Sequence, residues 1–220
     1  MVKLPAKCFR VECGMGRIIE YYFSMHSPWA YIGHVPFREL VRRFSLNVTY
    51  KPISLPKVFA ETGGLPVTKR HPARLRYRMI ELQRWREKRR LNLKLRPKFF
   101  PFEAELADRF VIAVAARHDP DSFLLRAFAA LWEDEQDLAD ARTLITLAGA
   151  TGLPGEKLLA DARGSEAKST YDKNVADAIA ADVIGSPTYI LDGEVFWGQD
   201  RIDLLEDALK SGRRPYRPDA

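Results

Sequence analysis

The sequence predicts an α/β fold: a four-stranded mixed sheet interrupted by a large, all-helical insertion. Three observations carry that expectation. A β-α-β order follows residue 16, a β-β-α order closes the chain, and the residues between them read as successive helices. A β-α-β unit and a β-β-α unit can join edge to edge as one sheet, with the helices leaving and returning between its halves. The expected organisation is an irregular arm at 1–16, a sheet domain formed by 17–57 together with 184–212, and a helical insertion at 58–183.

The elements follow in order. Arg17 to Phe23 reads RIIEYYF, a β-branched and aromatic run suited to a buried strand. It ends at Ser24-Met25-His26-Ser27-Pro28, where Ser27 suits a helix N-cap and Pro28 the first helical position. Trp29, Ile32, Val35, Leu40, Val41 and Phe44 continue as an apolar helical stripe, which Gly33 and Pro36 are expected to kink or to delay. Leu46 to Ile53 is a second strand, closed by the Pro52 and Pro56 region. His71-Pro72-Ala73 opens a helix running to about Leu91, and Phe102 to Arg117 repeats apolar residues at helical spacing. Asp119-Pro120-Asp121-Ser122 breaks the chain and caps a helix over Phe123 to Trp132. Asp140 to Gly149, Gly155 to Ala162 and Glu166 to Val183 complete the helical region. Thr188 to Leu191 and Glu194 to Trp197 pair across an Asp192-Gly193 turn, and Ile202 to Leu209 reads as a final amphipathic helix.

Composition narrows the function classes. The 220 residues are 46% hydrophobic, 29% charged and 11% aromatic, which excludes wholesale disorder and a disulfide scaffold. No apolar run approaches the roughly 20 residues of a membrane span. Met1 to Gly16 lacks the apolar stretch of a signal peptide, and with only two cysteines the expected location is cytoplasmic. Cys8 and Cys13 match no metal or redox spacing, and the four histidines are too scattered for a metal site. The net charge of +6 is uneven: Lys69 to Lys98 holds thirteen basic and two acidic residues, so the remainder nets −5. Most of those side chains are expected to form a solvated helix face. The segment lacks a nucleic-acid module signature, so no nucleic-acid partner is expected.

Three junctions carry candidate chemistry. The first is Ser27-Pro28-Trp29-Ala30, where a strand runs into a helix. In a thioredoxin-like oxidoreductase this junction holds a Cys-x-x-Cys pair whose thiolate the helix N-terminus stabilises. Ser27 and Ala30 stand in those places, which excludes dithiol redox chemistry at this turn. A serine hydroxyl with helix N–H groups could still hold a thiolate brought by another molecule. The second is Gly185-Ser186-Pro187-Thr188, where Pro187 is a candidate cis peptide and the Ser186 backbone could pair with an extended peptide. The third is Trp197-Gly198-Gln199-Asp200-Arg201, where Asp200 is either a helix cap paired with Arg201 or the partner of an amino-acid ammonium. Taken singly, Ser27 reads better as a plain N-cap, Pro187 is a weak signal that also fits a strand-entry proline, and Trp197 also reads as core.

Together the three resemble one family. The segments YYFSMHSPWAYI, YRMIELQRW and GSPTYILDGEVFWGQDR resemble the 2-hydroxychromene-2-carboxylate isomerases, relatives of the kappa-class glutathione transferases with a DsbA-like thioredoxin fold. The resemblance implies glutathione as cofactor and a small aromatic carboxylate as substrate. Ser27 matches the family's catalytic serine, which hydrogen-bonds the glutathione sulfur. The Ser186 backbone, ahead of Pro187, would pair with the cysteinyl part. Gln199 and Asp200 match the positions that take the γ-glutamyl end, and Arg74 falls where relatives carry a lysine for the glycyl carboxylate. Two positions depart: Ser24 replaces the usual acid three residues before the serine, and Leu65 replaces an asparagine that bonds glutathione. Relatives are often dimers, so a homodimer is allowed. The implied reaction is reversible thiol addition, bond rotation and elimination, with Arg74, Arg78 or Lys69 near the substrate carboxylate. A kappa-like transferase or peroxidase acting on other electrophiles uses the same residues. A non-catalytic thioredoxin-like binding module, docking an acidic partner through the basic helix, is the alternative from another class.

Overall fold

The computed structural model describes residues 16–219; the expected arm at 1–16, with Cys8 and Cys13, lies outside the described residues except for Gly16. The chain runs β1 (Ile18–Phe23), α1 (Pro28–Arg43), β2 (Asn47–Pro52), α2 (Leu55–Thr62), α3 (Pro72–Arg89), α4 (Glu105–Ala115), α5 (Asp121–Trp132), α6 (Ala141–Gly149), α7 (Gly155–Arg163), α8 (Ser165–Ala180), β3 (Thr188–Leu191), β4 (Glu194–Trp197) and α9 (Ile202–Ser211). The strands form one sheet in the order β2-β1-β3-β4. β1 is parallel to β2, with Tyr21 opposite Tyr50. It is antiparallel to β3, with Tyr21 opposite Tyr189. β3 and β4 form the expected hairpin. This is the four-stranded mixed sheet with a helical insertion that the element order predicts.

β1 alternates between two cores because successive side chains of a strand point to opposite faces. Ile19, Tyr21 and Phe23 face a core shared with α1, α4, α5 and α9, and Tyr21 stacks on Phe23 and on Tyr189 with ring centroids 4.3 and 5.3 Å apart. Tyr22 faces the other way, with Ile190, against Val58 of α2 and Val175 and Ala178 of α8. Both faces are therefore covered, which accounts for a central strand with so little polar character.

Three expectations need correction. α1 is one continuous helix through Pro36; that proline removes one intrahelical hydrogen bond without ending the helix. Gly33 does not kink it but lets another segment come close: an added Cβ would lie 2.6 Å from Gln199 Cβ. α2 was not among the expected elements. Pro52 and Pro56 read as strand terminators, yet Pro56 sits in the first turn of a helix that follows Ser54 and is ended by Gly63 in the left-handed region at φ +76°. Elsewhere the differences are at the ends: α4 begins at Glu105 rather than Phe102, and α8 stops at Ala180, ahead of a turn at Asp182 with φ +53°.

Candidate active site

β1 is central, so its C-terminal end delivers the next turn to the middle of the sheet edge. There Ser27 caps α1. Its Oγ accepts from the Ala30 N–H at 3.2 Å and donates to the Ser186 carbonyl at 3.0 Å. The hydroxyl thus sits at the positive end of a 16-residue helix, beside the loop that enters β3. The Ser186–Pro187 peptide bond is cis, as the sequence predicts. Two further bonds tie these loops together: the Ser24 N–H donates to Ser186 Oγ at 3.2 Å, and the Gly198 N–H donates to the Pro187 carbonyl at 2.9 Å.

A cleft opens above this junction as two chambers of about 650 and 380 Å³. They share one wall: Trp29, Arg70, Arg74, Arg78, Ser186 and Trp197. The larger chamber continues over Gln199, Asp200 and Arg201. The smaller continues over Ser27 and His26 to an apolar lining that includes Leu55, Phe59, Leu65 and Phe100. The structure thus brings Ser27, Ser186, Arg74, Gln199 and Asp200 to one cleft, with Ser27 in the smaller chamber and the Gln199–Asp200 turn in the larger. Pro187 lies directly behind Ser186 and is buried. Trp197 is 49% exposed and faces the cleft, so the reading of it as core is wrong. Lys69 lines neither chamber.

The polar groups of the cleft have an amino-acid-like ligand's complement. Gln199 is buried and its Oε1 has no hydrogen-bond partner among the described residues. Asp200 is exposed, with Arg201 at 3.2 Å. Arg70, Arg74 and Arg78 succeed one another at four-residue spacing along α3 and the turn before it, and form no ion pair among the described residues. Arg70 Nε donates to the Leu65 carbonyl at 2.8 Å. The Arg78 guanidinium lies 5.6 Å from the centre of the Phe100 ring. Burial, then the neighbouring Arg70, lowers its pKa. Three uncompensated guanidinium groups around one cleft prepare it for an anion.

Asp108 escapes the sequence reading, whereas His26 is placed by it next to the candidate site, with a surface or core role as the other reading. His26 packs its ring 4.8 Å from Phe100 and lines the smaller chamber; burial, then Arg78, pulls its pKa down, with Glu103 opposing. Asp108, on α4, is fully buried and bonds the Ser24–Met25 backbone and hydroxyl. Its sequence signal was a lone acid in the apolar run LADRFVIAVA. Ser24 itself faces Asp108 rather than the cleft.

Comparison with known proteins agrees with this fold. The DSBA-like thioredoxin domain family matches residues 18–210. A 2-hydroxychromene-2-carboxylate isomerase of Sphingobium xenophagum is 28% identical over 198 residues, covering 89% of this chain and 99% of that protein. A solved 2-hydroxychromene-2-carboxylate isomerase superposes with a TM-score of 0.75 at 22% identity, covering 88% of this chain and 95% of the other. The cytosolic disulfide reductase DsbM from Pseudomonas aeruginosa, solved with GSH, superposes with a TM-score of 0.65 at 16% identity, covering 89% and 98%. These two solved structures share the fold.

Proposed function

Because the chain belongs to the DSBA-like thioredoxin domain family and carries serine and alanine at the turn where a dithiol enzyme needs cysteines, we propose that it is a glutathione-dependent isomerase. Its substrate on this reading is 2-hydroxychromene-2-carboxylate or a related small aromatic carboxylate, converted to trans-o-hydroxybenzylidenepyruvate or its counterpart. One observation carries the reading: the Ser27 hydroxyl sits at the α1 N-terminus against the Ser186 carbonyl, at the mouth of a cleft ringed by unpaired arginines.

The residues fit glutathione. The unpartnered Oε1 of buried Gln199 and the exposed carboxylate of Asp200 suit a γ-glutamyl ammonium. The Ser186 backbone suits the cysteinyl unit, and Arg74 suits the glycyl carboxylate. When bound, glutathione supplies a nucleophilic thiolate whose reversible addition turns a double bond of the substrate into a rotatable single bond. Ser27 donates its proton towards the sulfur and so favours the ionised thiol; the N–H groups of the first turn of α1 act in the same sense. Phe59, Phe100, Leu55 and Leu65 receive the aromatic ring in the smaller chamber. Arg78, between that lining and Ser27, holds the substrate carboxylate. No cysteine at the turn is required, because the net reaction transfers no electrons.

The test is a calorimetric titration with reduced glutathione, followed by spectrophotometric conversion of 2-hydroxychromene-2-carboxylate with and without glutathione. Saturable binding and glutathione-dependent turnover support the proposal. Binding with turnover of generic aromatic electrophiles but not of the chromene would turn it towards a transferase. No binding at millimolar glutathione would reject it.

A further inference from the structure

Asp108 lines neither chamber, yet it is wired to the reactive turn. It is delivered by α4 of the insertion and is 0% exposed. Its Oδ1 accepts from the Met25 N–H at 2.7 Å. Its Oδ2 lies 3.0 Å from Ser24 Oγ and 3.3 Å from the Tyr171 hydroxyl. Ser24 passes the contact on in two directions. Its N–H donates to Ser186 Oγ at 3.2 Å, and its carbonyl accepts from the Ser27 N–H at 3.0 Å. One carboxyl thus governs, through a single intervening residue, the turn that carries Ser27 and the loop that faces it.

Among the described residues, the surroundings of Asp108 offer no countercharge. The β1–α1 turn presents backbone and the Ser24 hydroxyl, α8 presents Tyr171, and the stretch leading into α4 presents Glu103. Glu105 adds a further negative charge near Tyr171. Burial outweighs the hydrogen bonds and pushes the Asp108 carboxyl up to about 8. Ionised, Oδ2 accepts from both hydroxyls and the bond from Met25 is charge-assisted. Neutral, Oδ2 carries a proton that it donates to Ser24 Oγ, while Oδ1 still accepts from Met25. Gain of one proton reverses the Ser24–Asp108 hydrogen bond and leaves the rest of the network in place.

We propose that Asp108 is a positioning residue for Ser27: from the helical insertion it fixes the Ser24–Met25 turn that aims the Ser27 hydroxyl at the cleft. It touches neither ligand. The part of this inference that concerns glutathione rests on the function proposed above; the part that concerns the turn does not.

Two measurements separate those parts. The first follows the Met25 amide proton by NMR between pH 6 and 10, without ligand. The wild-type resonance moves with an inflection near pH 8 that is absent in Asp108→Asn. The second measures glutathione affinity and the pH dependence of bound thiolate by its ultraviolet absorbance. Asp108→Leu, which leaves the Met25 N–H unpartnered, weakens binding by about tenfold and lowers the thiolate fraction at neutral pH. Asp108→Asn keeps an acceptor for Met25 and a donor for Ser24, so it restores most of that loss and removes the inflection near pH 8. Where Asp108→Leu does not fold, Ser24→Ala removes the hydroxyl contact of the same carboxyl while leaving the Met25 bond, and weakens binding in the same direction by a smaller factor. A flat Met25 titration, or variants with wild-type affinity and thiolate curves, would overturn the proposal. Absence of glutathione binding in the wild type would reject the functional reading, and the Met25 titration would still decide the role of Asp108 in the turn.

Discussion

The Ser27 hydroxyl donates to the Ser186 carbonyl at 3.0 Å across 159 residues of sequence. This bond joins the β1–α1 turn to the loop that enters β3, from opposite sides of the helical region in sequence. It also gives the serine proton a holding place. On the function proposed above, a sulfur seated between Ser27 and Ser186 would compete for that proton, exchanging one acceptor for another.

Replacing Ser27 by alanine tests both roles. The cap to the Ala30 N–H is lost, which lowers stability by about 1 kcal/mol. Loss of a hydrogen bond to a charged sulfur raises the pKa of bound glutathione thiol by roughly one to two pH units. Thermal unfolding gives the first and thiolate absorbance against pH the second. A normal thiol titration in Ser27→Ala would remove Ser27 from the chemistry and leave it as a cap.

Much of this was legible in the sequence because local chemistry marks it. Ser27-Pro28 ahead of an apolar helical stripe marks a helix start, and RIIEYYF is a buried strand by composition. The proline before β3 was a cis candidate by its place in the fold. What stayed hidden depends on contacts between distant segments. Nothing near Asp108 says that it meets Met25, 83 residues away. Gly33 looked like a helix defect because its reason lies on the Gln199 turn. The role of Pro56 was misread because proline ends a strand and begins a helix equally well.

Gly33→Ala probes that close approach. Alanine is the better helix former by up to about 1 kcal/mol, but its Cβ would meet Gln199 Cβ at 2.6 Å and the Tyr189 hydroxyl at 3.1 Å. Overpacking of this kind costs typically 1–3 kcal/mol, so the variant melts lower and, with Gln199 displaced, binds glutathione more weakly. A variant that melts higher than wild type would show that the turn yields and that helix propensity wins.

On the proposed function, Arg78 distinguishes the aromatic carboxylate from glutathione. Arg78→Met keeps much of the aliphatic stem over Phe100 and removes the charge. The KM for the aromatic acid rises about tenfold, as expected for one charge-assisted hydrogen bond, while the KM for its methyl ester moves little. A second readout needs no substrate. Arg78 is one of the two causes holding the His26 pKa down, so the His26 ring titrates at higher pH in the variant. Equal losses for acid and ester would assign Arg78 to packing alone.

His34 and Asp108 set opposite pH limits on the fold. His34 is 1% exposed beside Phe128, with ring centroids 5.5 Å apart. Burial lowers its pKa from 6.5 to about 4, against the opposing charge of Asp121. Between those values the unfolded chain binds the proton and the native chain does not, so stability falls as pH drops from 6.5 towards 4. Asp108 has the reverse sign. Its carboxyl is raised from 3.8 to about 8, the native state holds the extra proton, and stability falls as pH rises through that range. Urea unfolding at pH 5, 6.5 and 8.5 resolves the two. The two windows overlap below pH 6.5, where the slopes oppose each other, and only Asp108 acts above it. His34→Leu therefore loses stability steadily as pH rises from 5 to 8.5, whereas Asp108→Asn gains stability from pH 5 to 6.5 and is flat above that. Because the residues lie on different elements, the double variant is expected to combine both effects nearly additively. A His34→Leu variant whose stability still drops from pH 6.5 to 5 would mean that another group takes up the proton.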